Sequence, residues 1–300
     1  MNRVLLSIVC LLIACTGGCN KKTESATVGH RLLLAAEPYV PLMQQEVDQF
    51  VSLYPQGNME VHGSSTRGAI VSLLNDSVYT IVTDRQFNEE ERQVARQASI
   101  RLVENKIAED AIAIIVHRQN PIESLAQESV NRIVTKTATA WMQISKSHRS
   151  GPIDLVCTGR NSGMYEMLQN KFLNGSKPLE PTLVLSSQEE VIQYVSAHPS
   201  SIGFVAASLL MGKSLHVKIL PVLAKSPEGN EKAYFPGQQE IHESLYPFHY
   251  SLYLYNTEEK AAVGVGFSSL VLSHVGQKIF QNAGLVPVKI PYRTIQLQAE

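Results

Sequence analysis

From His30 onward the apolar positions follow two rhythms in turn. Residues 31–36 form a short apolar run of strand type. Behind it Met43, Val47, Phe50, Val51 and Tyr54 stand at i, i+4, i+7, i+8 and i+11, one buried face of a helix. The next strand spans 58–62. A polar turn, Gly63-Ser64-Ser65-Thr66, then opens a helix with Ile70, Leu73 and Leu74 inward, and 78–83 is a buried strand ending in Asp84-Arg85. This is βαβαβ order. A helix over 89–98 follows, and then an apolar strand over 111–116, stopped by Asn120-Pro121.

The alternation runs a second time: a strand over 153–157, helices over 162–173 and 187–197, and a strand over 202–205. Ser187 and Glu190 have capping-box spacing. Residues 221–239 are rich in Pro, Gly, Lys and Glu and predict a long surface excursion. Residues 250–255 form an aromatic strand, and a helix is expected from Thr257 to about Ser273. The pattern predicts an α/β protein of two lobes. The C-terminal strand and helix return to the first lobe, so the lobes are interleaved: 30–111 plus 246–300, and 112–245, with a cleft between.

Composition narrows the class. Of 300 residues 44% are hydrophobic and 18% charged, which excludes disorder, collagen and coiled coil as the main architecture. Lys and Arg number 26 against 27 Asp and Glu, a net charge of -1, so no basic field draws the chain to nucleic acid. The one long apolar run, Val4 to Ala14 behind Arg3, is too short for a bilayer that needs about 20 residues. It reads as a signal peptide of an exported protein. Cys10, Cys15 and Cys19 lie in or just after this run and Cys157 stands alone in the body, which is no disulfide framework. Leu12-Ile13-Ala14-Cys15 resembles the lipobox of bacterial lipoproteins, with Cys15 lipidated. Thr16-Gly17-Gly18-Cys19 is a second candidate, and plain signal cleavage the alternative. Residues 1–19 are then signal and anchor, and the polar stretch 20–29 a tether to a membrane surface.

Three strand-to-helix junctions carry residues suited to an anion, because helix N-termini at the carboxyl ends of strands point free N–H groups into a crevice. The first is Gly63-Ser64-Ser65-Thr66. The second is Arg160-Asn161-Ser162-Gly163, where a guanidinium and a helix start can act together. Each, taken alone, is equally an ordinary helix cap. The third is Thr83-Asp84-Arg85. A carboxylate in an anion site requires a ligand that brings a proton, which monohydrogen phosphate does and sulfate at neutral pH does not. Taken alone, Asp84 is equally a cap or a partner of Arg85.

As a set these residues resemble the phosphate-binding proteins of bacterial phosphate ABC transporters, the PstS type, within the type II periplasmic binding protein fold. The resemblance runs in order through Tyr54-Pro55, Gly63-Ser64-Ser65, Thr83-Asp84-Arg85, Asn120-Pro121, Thr139-Ala140-Trp141, Gly159-Arg160 with Ser162-Gly163, Ser201-Ile202-Gly203-Phe204, Tyr246-Pro247 and Gly284-Leu285-Val286-Pro287. It implies phosphate bound between the lobes by Ser64, Asp84, Arg160, Ser162 and Gly163, with Ser65 and Thr66 beside them. It also implies a membrane permease as partner, and a monomer with no cofactor. The chain departs from the family at two places. The loop after the first strand has Glu37, which would repel a phosphate, where the family has Ser or Thr. In the second lobe one residue separates Arg160 from Ser162 where the family has three, and Met164 stands in a threonine place. His62 and Thr66 are candidates for replacement donors. These departures keep open a related oxyanion, a larger phosphorylated ligand, or a sensory or interaction lipoprotein of the same fold without tight anion binding.

Other chemistries find no pattern. The nine histidines show no metal-ligand spacing. Met211-Gly212-Lys213-Ser214 resembles a P-loop tail, but Ala207 stands where its first glycine belongs. Gly264-Val265-Gly266 lacks a third glycine and sits inside a helix. No G-x-S-x-G elbow occurs, and a phosphatase would lack its nucleophile and base. Trp141 and the tyrosines of 250–255 are expected in the core.

Overall fold

A computed structural model describes residues 24–145, 151–175, 177–212, 216–258, 260 and 262–289. Cys10, Cys15, Cys19 and Lys213-Ser214 lie outside the described residues. Of the expected tether, residues 24–29 are described, and they lie on the body. Gly29 N donates to Gln56 O at 2.9 Å, and Ala26 O fills the space that a side chain at position 266 would need.

Strands β1 (Gly29–Ala36), β2 (Gly57–Ser64) and β3 (Thr80–Thr83) are parallel, with β1 in the middle. Helices α1 (Val40–Leu53) and α2 (Thr66–Leu74) connect them in the order the pattern predicts. Met43, Val47 and Phe50 are buried, but Tyr54 is 40% exposed. The helix ends at Leu53 and Tyr54 is its C-cap, so the helical stripe no longer directs it. Helix α3 (Glu89–Gln97) starts at a full capping box, Asn88 and Glu91 exchanging two bonds of 2.8 Å.

Strand β4 (Leu102–His117) is the axis of the molecule and far longer than the apolar run over 111–116. Beyond it come β5 (Leu125–Ala126), α4 (Gln127–Val134), β6 (Asp154–Thr158), α5 (Gly163–Leu173), β7 (Leu183–Leu185), α6 (Gln188–Ala197), β8 (Ser201–Ala206) and β9 (Val217–Leu220). The expected excursion over 221–239 is instead mostly a hairpin of β10 (Val222–Lys225) and β11 (Glu231–Tyr234), which pairs with β5 in a small second sheet. Backbone pairing overrides the turn-rich composition there. After α7 (Gln238–His242) comes β12 (His249–Thr257), then α8 (Val263–Val271), α9 (His274–Asn282) and β13 (Val286–Pro287). The helix expected from Thr257 begins only at Val263. Thr257 is still strand, paired with Leu102 and donating to Tyr79 O at 3.0 Å.

The large sheet runs β2-β1-β3-β12-β4-β8-β6-β7, with β9 and β13 also on β4. Along β4, Leu102–Ala111 pairs with β12, and Ile112–Val116 with β8. The α/β fold is therefore two lobes on one continuous strand. Their junction is tied by polar bonds. Ile112 N donates to Phe248 O, and Tyr246 Oη to Ile112 O, both at 2.8 Å. Buried Asp110 accepts from Tyr39 Oη (3.0 Å), Ala111 N (2.7 Å) and Ser208 Oγ (2.5 Å). Burial raises the Asp110 pKa and these donors oppose the rise. Trp141 is buried with Nε1 donating to Ser200 O at 3.0 Å, and Tyr255 is buried too, while Cys157 lies in the core as a free thiol.

Candidate ligand-binding site

Five strands end at one cavity of about 480 Å³ between the lobes. Strands β1, β2 and β3 bring it residues of one lobe, and β6 and β7 residues of the other. Ser64, Ser65, Thr66, Asp84, Arg160, Ser162 and Gly163 all line it.

At the first junction Ser65 is the N-cap of α2, its hydroxyl accepting from Gly68 N at 3.2 Å. Ser64 Oγ donates to Ser65 O at 3.1 Å. Thr66, 1% exposed, has its hydroxyl aimed away from a ligand: Oγ1 donates to Asp84 Oδ1 at 2.5 Å. Of the two candidate replacement donors, Thr66 therefore orients Asp84 and spends its proton there. His62 is not brought to the cavity, because its side chain lies on an exposed strand position and bonds Glu60 at 2.8 Å.

Asp84 is 2% exposed. Burial raises its pKa, while the Thr66 hydroxyl and the Arg85 charge hold it down. Across the cleft, Ser162 caps α5 by accepting from Tyr165 N at 3.2 Å, and its hydroxyl also meets Thr158 Oγ1 (2.7 Å) and Gly159 O (2.8 Å). Gly163 is the first residue of that helix. A Cβ there would stand 1.7 Å from Asp84 Oδ1, so only glycine lets the carboxyl of one lobe rest on the helix start of the other. Arg160, exposed, is the one basic side chain of the lining among the described residues. Met164, in the threonine place, is fully buried in the core and does not line the cavity.

The lobes touch on both sides of the cavity. On one side Arg67 N donates to Asn161 O at 3.1 Å, and Arg85 pairs with Glu166 while holding Glu91 through two bonds of 2.8 Å. On the other, Gln188 N donates to Glu37 Oε2 at 3.4 Å. Burial and the carboxyl of Glu189 push the Glu37 pKa up to about 7.

Sequence reasoning missed Thr158, Ser186 and Gln188 as lining residues. A signal for the last two was present: Ser187, in the capping-box spacing, caps α6 by accepting from Glu190 N at 3.1 Å. That makes the β7–α6 turn a junction of the same kind as the other three. Glu190 returns its carboxylate to Ser186 N, one residue earlier than the box expects. Among the described residues no group of His, Cys, Asp and Glu could hold a metal ion.

Comparison with known proteins gives a consistent set. A family model described as a PBP superfamily domain matches residues 20–275. The protein SphX of Synechococcus elongatus is 26% identical over 256 residues, 83% of this chain and 74% of that protein. The phosphate-binding protein PstS of Staphylococcus aureus is 20% identical over 304 residues, 98% of this chain and 89% of its own. A Clostridium perfringens crystal structure, presented as a phosphate ABC transporter substrate-binding protein with bound phosphate, superposes with a TM-score of 0.75. It is 20% identical, over 87% of this chain and 100% of that one.

Proposed function

Because the chain belongs to the PBP superfamily, we propose that it is an extracytoplasmic solute-binding protein that holds phosphate between its lobes and delivers it to an ABC transporter. The observation that carries this reading is the convergence of Ser64, Ser65, Thr66, Asp84, Arg160, Ser162 and Gly163, from two lobes, on one cavity. The lobes are 30–111 with 246–300, and 112–245.

Each residue then has a part. The N-termini of α2 and α5 each present roughly half a positive charge and free amides, and Arg160 adds a full charge at the rim. Ser64 lends its hydroxyl, while the Ser65 and Ser162 hydroxyls hold the helix starts in position. Thr66 orients Asp84, which accepts the proton of monohydrogen phosphate; sulfate has none to give. The similarity to PstS of Staphylococcus aureus, a phosphate-binding protein, supports phosphate over other oxyanions. In this reading the protein binds as a monomer and catalyses nothing. It works at a membrane surface, anchored by lipid on Cys15 or Cys19, and its partner is a membrane permease. No helix among the described residues is long and apolar enough to cross a membrane.

Thermal melting of the exported protein against phosphate, arsenate, sulfate and molybdate tests the reading. A ligand at 100 times its Kd stabilises the fold by about 2.7 kcal/mol. Phosphate is expected to raise the Tm and sulfate to leave it in place. No shift with millimolar phosphate would overturn the assignment.

A further inference from the structure

With the lobes in contact on both sides, the cavity between them still measures about 480 Å³. A phosphate ion has five heavy atoms and fills on the order of 100 Å³, the room of about three waters. Most of the cavity is therefore left over, and its volume falls among those of small-molecule sites, about 300–1,000 Å³. The donors to the anion stand at the starts of α2 and α5. The remaining wall belongs to the turn after β1, with Glu37 and Pro38, and to the β7–α6 turn, with Leu185 and Gln188.

The sheet sets how far this second patch lies from the first. Strands β6 and β7 are parallel neighbours, with Thr158 opposite Leu185. The turn that opens α6 thus leaves the sheet one strand spacing, about 4.8 Å, beyond the turn that opens α5. A short carbon chain on a phosphate oxygen reaches across that step.

Gln188 supplies the observation that points to a ligand. It is 2% exposed. Its Oε1 accepts from Ala206 N at 2.6 Å, which fixes the orientation of the amide. The Nε2 donor is left to the cavity that Gln188 lines, since none of the described residues accepts from it. Beside it, Glu37 Oε2 accepts from Gln188 N at 3.4 Å, a long bond that takes one of about four acceptor positions on a carboxylate. A hydroxyl group accepts from such an amide and donates to such a carboxylate at once. An ammonium could only donate, and would leave the buried Gln188 amide unpaired.

We propose that the cavity takes a phosphate monoester of a small polyol, with the phosphoryl group at the starts of α2 and α5 and the hydroxyls between Gln188 and Glu37. The inference rests on the phosphate reading of the same site, which supplies one end of the ligand. The singly protonated ester donates to Asp84 as monohydrogen phosphate does. Its carbons lie against Pro38 and Leu185, and its hydroxyls accept from Gln188 Nε2 and donate to the Glu37 carboxylate. Phosphate itself uses the first set of groups alone. Glu37, out of keeping with a bare anion, belongs to the second set.

Titration calorimetry with phosphate, glycerol 3-phosphate, propyl phosphate and phosphoethanolamine tests it, on the wild type, Glu37→Ala and Gln188→Met. Propyl phosphate has the reach of the glycerol ester without its hydroxyls. Glycerol 3-phosphate is expected to bind the wild type at least tenfold tighter than propyl phosphate or phosphoethanolamine. In both variants its advantage over propyl phosphate falls to within threefold. Gln188→Met also removes the acceptor of Ala206 N, so if it does not fold, Glu37→Ala decides. A wild-type advantage within threefold, or a tenfold advantage that survives in either folded variant, would overturn the polyol site. So would tighter binding of phosphoethanolamine than of glycerol 3-phosphate. If phosphate binds and glycerol 3-phosphate does not, the ester site fails and the phosphate reading stands; if neither binds, both fail.

Discussion

Replacing Gly163 by alanine separates ligand binding from stability. The new Cβ would lie 1.7 Å from Asp84 Oδ1 and 2.4 Å from Oδ2. Ordinary contact begins at about 3.5 Å, so the carboxyl must retreat by roughly 2 Å or the lobes must stay apart. A retreat of that size breaks the 2.5 Å bond from Thr66 Oγ1. Hydrogen bonds to charged groups are worth about 1.5–3 kcal/mol, which corresponds to a roughly ten- to hundredfold loss of phosphate affinity. Parting of the lobes loses more, because Ser162 and Arg160 no longer face Ser64. The ligand-free fold is spared where the lobes part, because the bond from Thr66 to Asp84 lies within one lobe and is then kept. Alanine is a better helix former than glycine by up to about 1 kcal/mol, less at the first position of a helix. Titration calorimetry with phosphate, paired with a melt of the ligand-free variant, reads both quantities. The expected result is affinity down at least tenfold with Tm unchanged or slightly higher. Affinity within threefold of wild type would refute the reasoning, since the contact between lobes would then be irrelevant to the bound state.

Two further outcomes are expected. Asp84→Asn keeps the acceptor for Thr66 but replaces a proton acceptor with a donor, so phosphate should weaken by about tenfold or more while sulfate gains affinity. Competition calorimetry with the two anions checks this, and unchanged selectivity would remove Asp84 from the discrimination. Glu46 on α1 is fully buried, with both carboxylate oxygens lacking a hydrogen-bond partner, and burial raises its pKa to about 8 from 4.5. Its folded form keeps a proton the unfolded chain has lost, so stability is complete below pH 4.5 and declines as pH rises to 8. The ceiling on that decline is about 5 kcal/mol. Glu46→Gln should therefore raise the Tm relative to wild type far more at pH 8 than at pH 5. An equal difference at both pH values would show that Glu46 does not titrate in this window.

The helix starts were the most legible part of the site. Ser65, Ser162 and Ser187 each stand one residue before a helix, where a hydroxyl satisfies an amide the helix cannot, and local chemistry alone requires them there. The side chains that complete the cavity were less legible. Thr66 read as a donor to the ligand, but its hydroxyl serves Asp84, eighteen residues on. Glu37 read as a repulsive group, and its charge is instead managed by a helix turn 151 residues away. Neither partner leaves a trace in periodicity.

The strands show the same division. The run 202–205 is fully buried between parallel β6 and antiparallel β4, and 31–36 lies between parallel β2 and β3 with Leu33, Ala35 and Ala36 buried, so their hydrophobicity announces them. The first half of β4 carries Glu104, Asn105, Lys106 and Glu109 and looks like loop; it is strand because β12 supplies its backbone partners. The hairpin within 221–239 has the same cause. Legible in the chain alone were the alternation of strands and helices, the caps that open helices onto the crevice, and a charge near neutral. Packing set the rest: Asp84 rests against Gly163, Arg85 meets Glu166, and Glu37 accepts from Gln188 N. Those are contacts between lobes, made by residues far apart in the chain, and closing such distances is a property of the packed fold rather than of any local pattern.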